Sequence, residues 1–189
     1  MKYPVVEIFT SIQGEGQFAG SPANFVRLAG CNLRCPFCDT DIKEKERLSV
    51  SEIVERLNPN VRITVITGGE PCIHNLKPLN RRLHIVGYAT HLETNGTFPL
   101  ETLFHYVSVS PKKGHPVMVR ADEAKWLIPM WSYEEIDWDI APIHFLQPIN
   151  DRLTVNRRNL RRCLWLLYNK RPPKPLRLSV QLHKSLGVR

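Results

Sequence analysis

The chain has 189 residues, of which 42% are apolar and 23% charged. That is enough to bury one sizeable core, and too balanced for a disordered or fibrous chain. No apolar run approaches the roughly 18 residues that cross a bilayer, and the opening MKYPVVEIFT lacks the basic start and long apolar stretch of a signal peptide. A single domain over 1–189, cytoplasmic and without membrane attachment, is expected. The net charge of +8 is unevenly spread. From Arg152 onward eleven residues are basic and none acidic, so the first 151 residues hold 15 of the 26 basic residues and all 18 acidic ones, a net −3. High overall charge therefore does not point to nucleic acid.

Short β-branched runs alternate with helical patterns, the signature of βα units around a mainly parallel sheet. Residues 5–8 and 24–28 read as the first strands. Ser49 and Glu52 form a capping-box pattern that predicts a helix start ahead of Ile53, Val54 and Leu57. The clearest strand is 61–67, apolar enough to be buried on both faces. Further strands are expected at 90–94, 106–110, 124–129 and 144–146, with short helical stretches at 100–105 and 133–138. A longer helix is predicted over 155–168, with a break at 171–175. The tail after Val180 shows little helical or strand periodicity. Polar motifs follow four strands: TGGEP, ETNG, SPK and QPIND. Parallel α/β sheets place ligands at the carboxyl ends of their strands, so these motifs are expected to line one site.

Five cysteines, with Cys31, Cys35 and Cys38 in one C-x3-C-x2-C loop, do not read as a disulfide framework. Thiolates suit zinc, copper(I) or iron–sulfur clusters. A structural zinc would need a fourth ligand from a distant Cys or His. A [4Fe–4S] cluster on three cysteines would leave one iron open, a catalytic feature. Cys72 and Cys163, standing alone, read as small core residues.

Gln13–Gly16 precedes a strand instead of joining a strand to a helix, so it is no phosphate-cradling loop. Arg27 interrupts the apolar run NFVRLAG. It is either a paired arginine whose fork fits a carboxylate or a residue on an exposed strand face. Arg157, Arg158, Arg161 and Arg162 make a basic helix that reads as a solvated face or a docking surface for an acidic partner. With only Trp165 and Tyr168 as neighbouring aromatics, nucleic-acid binding is not expected.

The cysteine loop, with Phe37 before its last Cys, resembles the cluster loop of radical S-adenosylmethionine (SAM) enzymes. The segment GGEP resembles the stretch that supports the SAM amino group. The stretch IFTSIQGEGQFAGSPANFVRLAGCNLRCPFCDTD and the ending QLHKSLG resemble one family, the 7-carboxy-7-deazaguanine synthases, although Phe37 stands where members often have Trp. The resemblance implies an α/β fold, a partial, open and shortened TIM-like (β/α) barrel. It implies conversion of 6-carboxy-5,6,7,8-tetrahydropterin to 7-carboxy-7-deazaguanine with loss of ammonia, as in queuosine-type biosynthesis. The cluster would sit on Cys31, Cys35 and Cys38, and magnesium on Thr40. SAM would be held by Phe37, Cys38, Asp39, Gly69, Ser110, Lys112, Gln147, Pro148, Ile149 and Asn150. Substrate would meet Ile12, Gln13, Gly14, Glu15, Arg27, Thr67, Glu93, His183 and Arg189, with 176–189 closing the site. A homodimer and a flavodoxin-like reductant are expected partners. Another small radical SAM enzyme, such as a glycyl-radical activase, and a zinc-binding nucleic-acid module are the alternatives.

Overall fold

The computed structural model describes residues 1–38, 40–151 and 154–188. Its strands and helices fall into two units. One comprises Met1–Ser11, Pro22–Thr94 and Phe98–Val107; the other comprises Ile12–Ser21, Asn95–Thr97 and Ser108–Arg189.

In the first unit, β1 (Lys2–Ile12), β2 (Pro22–Leu28), β3 (Glu46–Ser49), β4 (Ile63–Gly68) and β5 (Ala89–Thr94) lie in the order β3-β1-β2-β4-β5. Strands β2, β4 and β5 are mutually parallel, whereas β3 runs antiparallel to β1. The interior of β4 is buried on both faces, as its unbroken apolar run requires. Phe9 stacks on Phe25 with ring centres 4.9 Å apart, beside the buried Ala23 and Val65.

Helix α1 (Val50–Glu55) starts where expected. The Glu52 amide donates to Ser49 Oγ at 3.3 Å and the Ser49 amide to Glu52 Oε2 at 2.7 Å, so two otherwise orphaned amides are satisfied reciprocally. Ser49→Ala should therefore cost about 1 kcal/mol. Calorimetry should read this as a fall of about 2–4 °C in thermal midpoint, and an unchanged midpoint would mean that the box does not hold the helix.

Helix α2 (Lys77–Ile85) was not expected, although Leu76, Leu79 and Leu83 recur at helical spacing and Pro78 occupies its first turn. Its buried Asn80 explains a correction. The stretch 100–105 is not helical. Asn80 Nδ2 donates to Thr102 Oγ1 at 3.2 Å and to the Leu103 carbonyl at 2.7 Å, while the His105 amide donates to the Thr90 carbonyl. The backbone groups a helix would pair internally are bonded elsewhere.

In the second unit β6 (Tyr106–Val109, from Ser108 onward), β7 (Glu123–Ile128), β8 (Ile143–Pro148) and β9 (Leu176–Leu178) pair in chain order, all parallel. Helix α3 (Arg157–Asn169) buries Cys163 and Leu166 and leaves its arginines, Trp165 and Tyr168 in solvent. The buried Trp126 donates its indole N–H to His144 Nδ1 at 3.0 Å, and His144 Nε2 lies 2.9 Å from the Ala141 carbonyl. That pairing fits a neutral imidazole, whose pKa burial pushes down. The predicted helix at 133–138 is reduced to a 3₁₀ turn, Tyr133–Glu135. The tail carries a one-turn helix, α4 (Leu182–Leu186), ended by Gly187 in the left-handed conformation. It is too short for its periodicity to show in the sequence. Among the described residues no helix is long and apolar enough to cross a membrane.

Candidate active site

In the first unit, parallel register sets Arg27 beside Thr67. The Thr67 hydroxyl donates to Glu93 Oε2 at 3.1 Å, and Arg27 Nε donates to Glu7 Oε1 at 2.9 Å. Four neighbouring strands thus present a row of carboxylate, guanidinium, hydroxyl and carboxylate. Arg27 is the paired arginine of the two alternatives, and its partner Glu7 was not foreseen. With Nε bonded to Glu7, a ligand carboxylate would meet the terminal nitrogens of the fork. Lysine has one nitrogen for both tasks. Were Arg27 to receive a ligand carboxylate, Arg27→Lys should weaken binding of that ligand by about 1–3 kcal/mol. Equal substrate affinity in equilibrium titrations of the two proteins would remove Arg27 from the site.

The cysteine loop leaves the end of β2. Its start is pressed by GGEP: a Cβ on Gly69 would stand 2.2 Å from the Gly30 carbonyl oxygen and 2.7 Å from Cys31 Cβ, and the Glu70 amide donates to that carbonyl at 3.0 Å. Glu70 is fully buried, and its Oε1 accepts from the Cys72 amide at 2.9 Å and from Thr94 Oγ1 at 2.8 Å. TGGEP and ETNG are thereby tied together. Cys31 and Cys35 are half-buried, Cys38 is exposed, and none of the three is in a disulfide. The Cys38 amide donates to the Cys35 carbonyl at 3.1 Å, closing a turn between them. Among the described residues no three Cys, His, Asp or Glu side chains converge on one point; closing such a loop is work that metal–thiolate bonds perform. The donor set, three soft sulfurs on one short loop, fits an iron–sulfur cluster. Burial, with the nearby Glu70 charge, pushes the Cys72 thiol up to about 12, and burial does the same at Cys163. Neither readily forms the thiolate a metal needs. Phe37 and Thr40 are half-buried, and Asp39 lies outside the described residues.

In the second unit, the 12–16 loop and the tail are joined. The Leu182 amide donates to the Gly14 carbonyl at 2.9 Å. His183 lies so close over Gly14 that a Cβ there would be 1.9 Å from its Nδ1, which is why this position has no side chain. Glu15 accepts from Lys125 Nζ at 2.7 Å and from Gln181 Nε2 at 2.9 Å. Burial raises the Glu15 pKa, but the charge and hydrogen bond of Lys125, with bonds from Gln181 and Gln147, outweigh it and hold the carboxyl at about 2. Gln13 Oε1 accepts from the Glu15 amide at 3.2 Å. Asn150 Nδ2 donates to Gln181 Oε1 at 3.1 Å, and the Ile149 amide to the Ile128 carbonyl. Gln147 and Pro148 are buried at the end of β8. Lys112 folds back onto Ser110, 2.9 Å from its Oγ. Gln13, Gly14, Glu15, Gln147, Asn150 and His183 are thus drawn into one neighbourhood, and Ile12, the last residue of β1, precedes Gln13 in the chain. Arg189 lies outside the described residues.

The radical SAM superfamily matches residues 25–128. A 7-carboxy-7-deazaguanine synthase of Bacteroides thetaiotaomicron is 39% identical over 199 residues, covering the whole of both chains. The chain belongs to the 7-carboxy-7-deazaguanine synthase family. A synthase of Synechocystis sp. is 34% identical over 203 residues, covering all of this chain and 95% of that protein. The crystal structure of QueE from Escherichia coli superposes with a TM-score of 0.74 at 30% identity, over 97% of this chain and 95% of that one. The fold is accordingly the α/β fold of radical SAM enzymes, and the chain is an enzyme of that superfamily, using a [4Fe–4S] cluster and SAM. Among the alternatives raised by the sequence, these relatives favour the deazaguanine synthase over an activase or a zinc module.

Sequence reasoning singles out Glu70 and Gln181 only as parts of the GGEP and QLHKSLG motifs, and Glu7, Glu123 and Lys125 not at all. A signal existed for two of them. Glu123 and Lys125 alternate with Ala124 and Trp126, which puts opposite charges on one face of an otherwise apolar strand. Arg27 was noticed for the same kind of reason.

Proposed function

We propose that this enzyme converts 6-carboxy-5,6,7,8-tetrahydropterin to 7-carboxy-7-deazaguanine with loss of ammonia, a step of queuosine-type biosynthesis. The observation that carries this reading is the row of Arg27, Thr67 and Glu93 at the ends of three parallel strands. A guanidinium fork suits the substrate carboxylate. A carboxylate two strands away suits the N–H donors of a pterin.

Cys31, Cys35 and Cys38 would hold the cluster, and Phe37, Asp39 and Gly69 would border SAM beside it. Held there, the cluster and SAM would supply the radical chemistry that the reaction needs. The chain's own residues position the reactants. Ser110, Lys112 and the segment Gln147–Asn150 would serve the ribose and adenine of SAM. Ile12, Gln13, Gly14, Glu15 and His183 would meet the pterin, and Arg189 would add its terminal carboxylate. The bond from Leu182 to Gly14 supports a role for 176–189 in closing over the substrate. Thr40 offers a hard oxygen for magnesium, which takes few protein ligands. The chain would act as a single domain of 1–189, as a cytoplasmic homodimer reduced by a flavodoxin-like protein.

Anaerobic incubation with the carboxytetrahydropterin, SAM, magnesium and dithionite tests the reading. Formation of the deazaguanine, followed by absorbance and mass, is the expected result. A reconstituted enzyme that cleaves SAM yet leaves the pterin unchanged would overturn it.

A further inference from the structure

Strand β7 places Glu123 and Lys125 on one face, only 3% and 4% exposed, beneath the 13–17 loop. Glu123 Oε2 accepts from the Gln17 amide at 2.8 Å, and its Oε1 accepts from Ser108 Oγ at 2.8 Å. Lys125 reaches the same loop two residues earlier, through Glu15. The other Glu15 oxygen takes Gln181 from the tail. The Gly16 amide donates to Ser179 Oγ at 3.1 Å, and Ser179 donates to Gln147 at 3.0 Å. Strand, loop and tail therefore form one closed polar network around Glu15.

A buried ion pair adds little net stability, because desolvating both charges offsets their attraction. Its larger consequence falls on Glu15. Without a cation, a buried carboxyl favours its neutral form, which presents an O–H donor in place of an acceptor. We propose that Lys125 is a positioning residue for the deazaguanine synthase reaction: it keeps Glu15 ionised and aimed as an acceptor for the N–H donors of the pterin. This rests on the proposed function, in which Glu15 meets the substrate. The charged and titratable groups facing the loop are Glu123 and Lys125 from β7, Arg177 from β9, which reaches Gln17 Oε1 at 2.9 Å, and His183 over Gly14. His183 carries an ionisable imidazole of its own, so the test must separate it from Glu15.

The experiment is anaerobic titration calorimetry of the carboxytetrahydropterin into enzyme carrying an unreduced cluster and SAM, which binds without turnover, between about pH 5.5 and 8.5. Wild type, Lys125→Met, Lys125→Arg, Glu15→Gln and the double variant Glu15→Gln/Lys125→Met are compared. At pH 6 Lys125→Met should bind about tenfold or more weakly, the size of a lost charged hydrogen bond. Its affinity should recover as pH rises and Glu15 ionises, a limb that wild type and Lys125→Arg lack. On the Glu15→Gln background the Lys125→Met change should alter affinity by less than about twofold, because Lys125 then has no carboxylate to act through. His183 is unchanged on that background, so any pH dependence that it causes would remain there. Should Lys125→Met fail to fold, the comparison of Glu15→Gln with the double variant, which leaves no uncompensated charge, decides alone. Wild-type affinity in Lys125→Met at every pH would overturn the proposal, as would an equal loss on the Glu15→Gln background. Failure of the wild type to bind the pterin would instead bring down the proposed function.

Discussion

Cys31→Ala, Cys35→Ala and Cys38→Ala are each expected to leave the reconstituted protein without a [4Fe–4S] cluster, whereas Cys72→Ser and Cys163→Ser keep theirs. A cluster held by three thiolates loses a ligand to an iron that has no protein substitute within the loop. The remaining two cysteines are poor stand-ins. Burial drives both thiols up to about 12, so at neutral pH they stay protonated and ligate weakly. Cys163 lies inside the apolar face of α3, and Cys72 follows GGEP with its amide tied to Glu70. Iron and sulfide analysis of the five variants, with the absorbance band near the visible edge, provides the measurement. Full iron content in the Cys35 variant would disprove the assignment. Loss of iron in the Cys163 variant would show that core packing, not ligation, governs assembly.

What could be read from the chain alone was local. The capping box at Ser49 needs residues only three apart, and the buried strand β4 announces itself by an unbroken apolar run. The cysteine loop is likewise complete within eight residues. Harder to see was anything that depends on a partner far along the chain. Glu15 and Lys125 are 110 positions apart, and neither residue alone distinguishes a solvated charge from a buried pair. Arg27 illustrates the intermediate case: the apolar run around it announced something unusual, and only strand neighbours could show that Glu7 is its companion. Helix α2 was missed because polar and basic residues dilute its apolar spacing, although Leu79 and Leu83 are fully buried. The 100–105 stretch was misread because a periodic pattern says nothing of Asn80 and Thr90, which bind its backbone from other elements.

Gly68→Ala should be among the most damaging single changes in the chain, and the reason lies in backbone rather than side-chain packing. Gly68 adopts φ +145, a conformation that strains any L side chain. Strand register sets it opposite Leu28. A Cβ there would stand 2.1 Å from the Leu28 carbonyl oxygen and 2.9 Å from the Leu28 amide nitrogen. Neither atom can swing aside as the tip of a side chain could, since both belong to a strand of the parallel sheet. The next residue compounds the effect, because Gly69 is pressed equally tightly on Gly30 at the root of the cysteine loop. Pushing β4 away from β2 would also loosen the Glu70 amide from the Gly30 carbonyl. Conformational strain and steric conflict together should cost about 3–5 kcal/mol, a drop of about 10 °C or more in thermal midpoint. Gly20→Ala is the control. Gly20 has φ +90 but nothing within 4 Å of its would-be Cβ, so it should show conformational strain alone, about 1 kcal/mol. If the two variants melt together, the close approach of β4 to β2 is not what the two glycines of TGGEP are for. If Gly68→Ala instead melts far lower and reconstitutes with less iron, the glycines link sheet stability to the loop that carries the cluster.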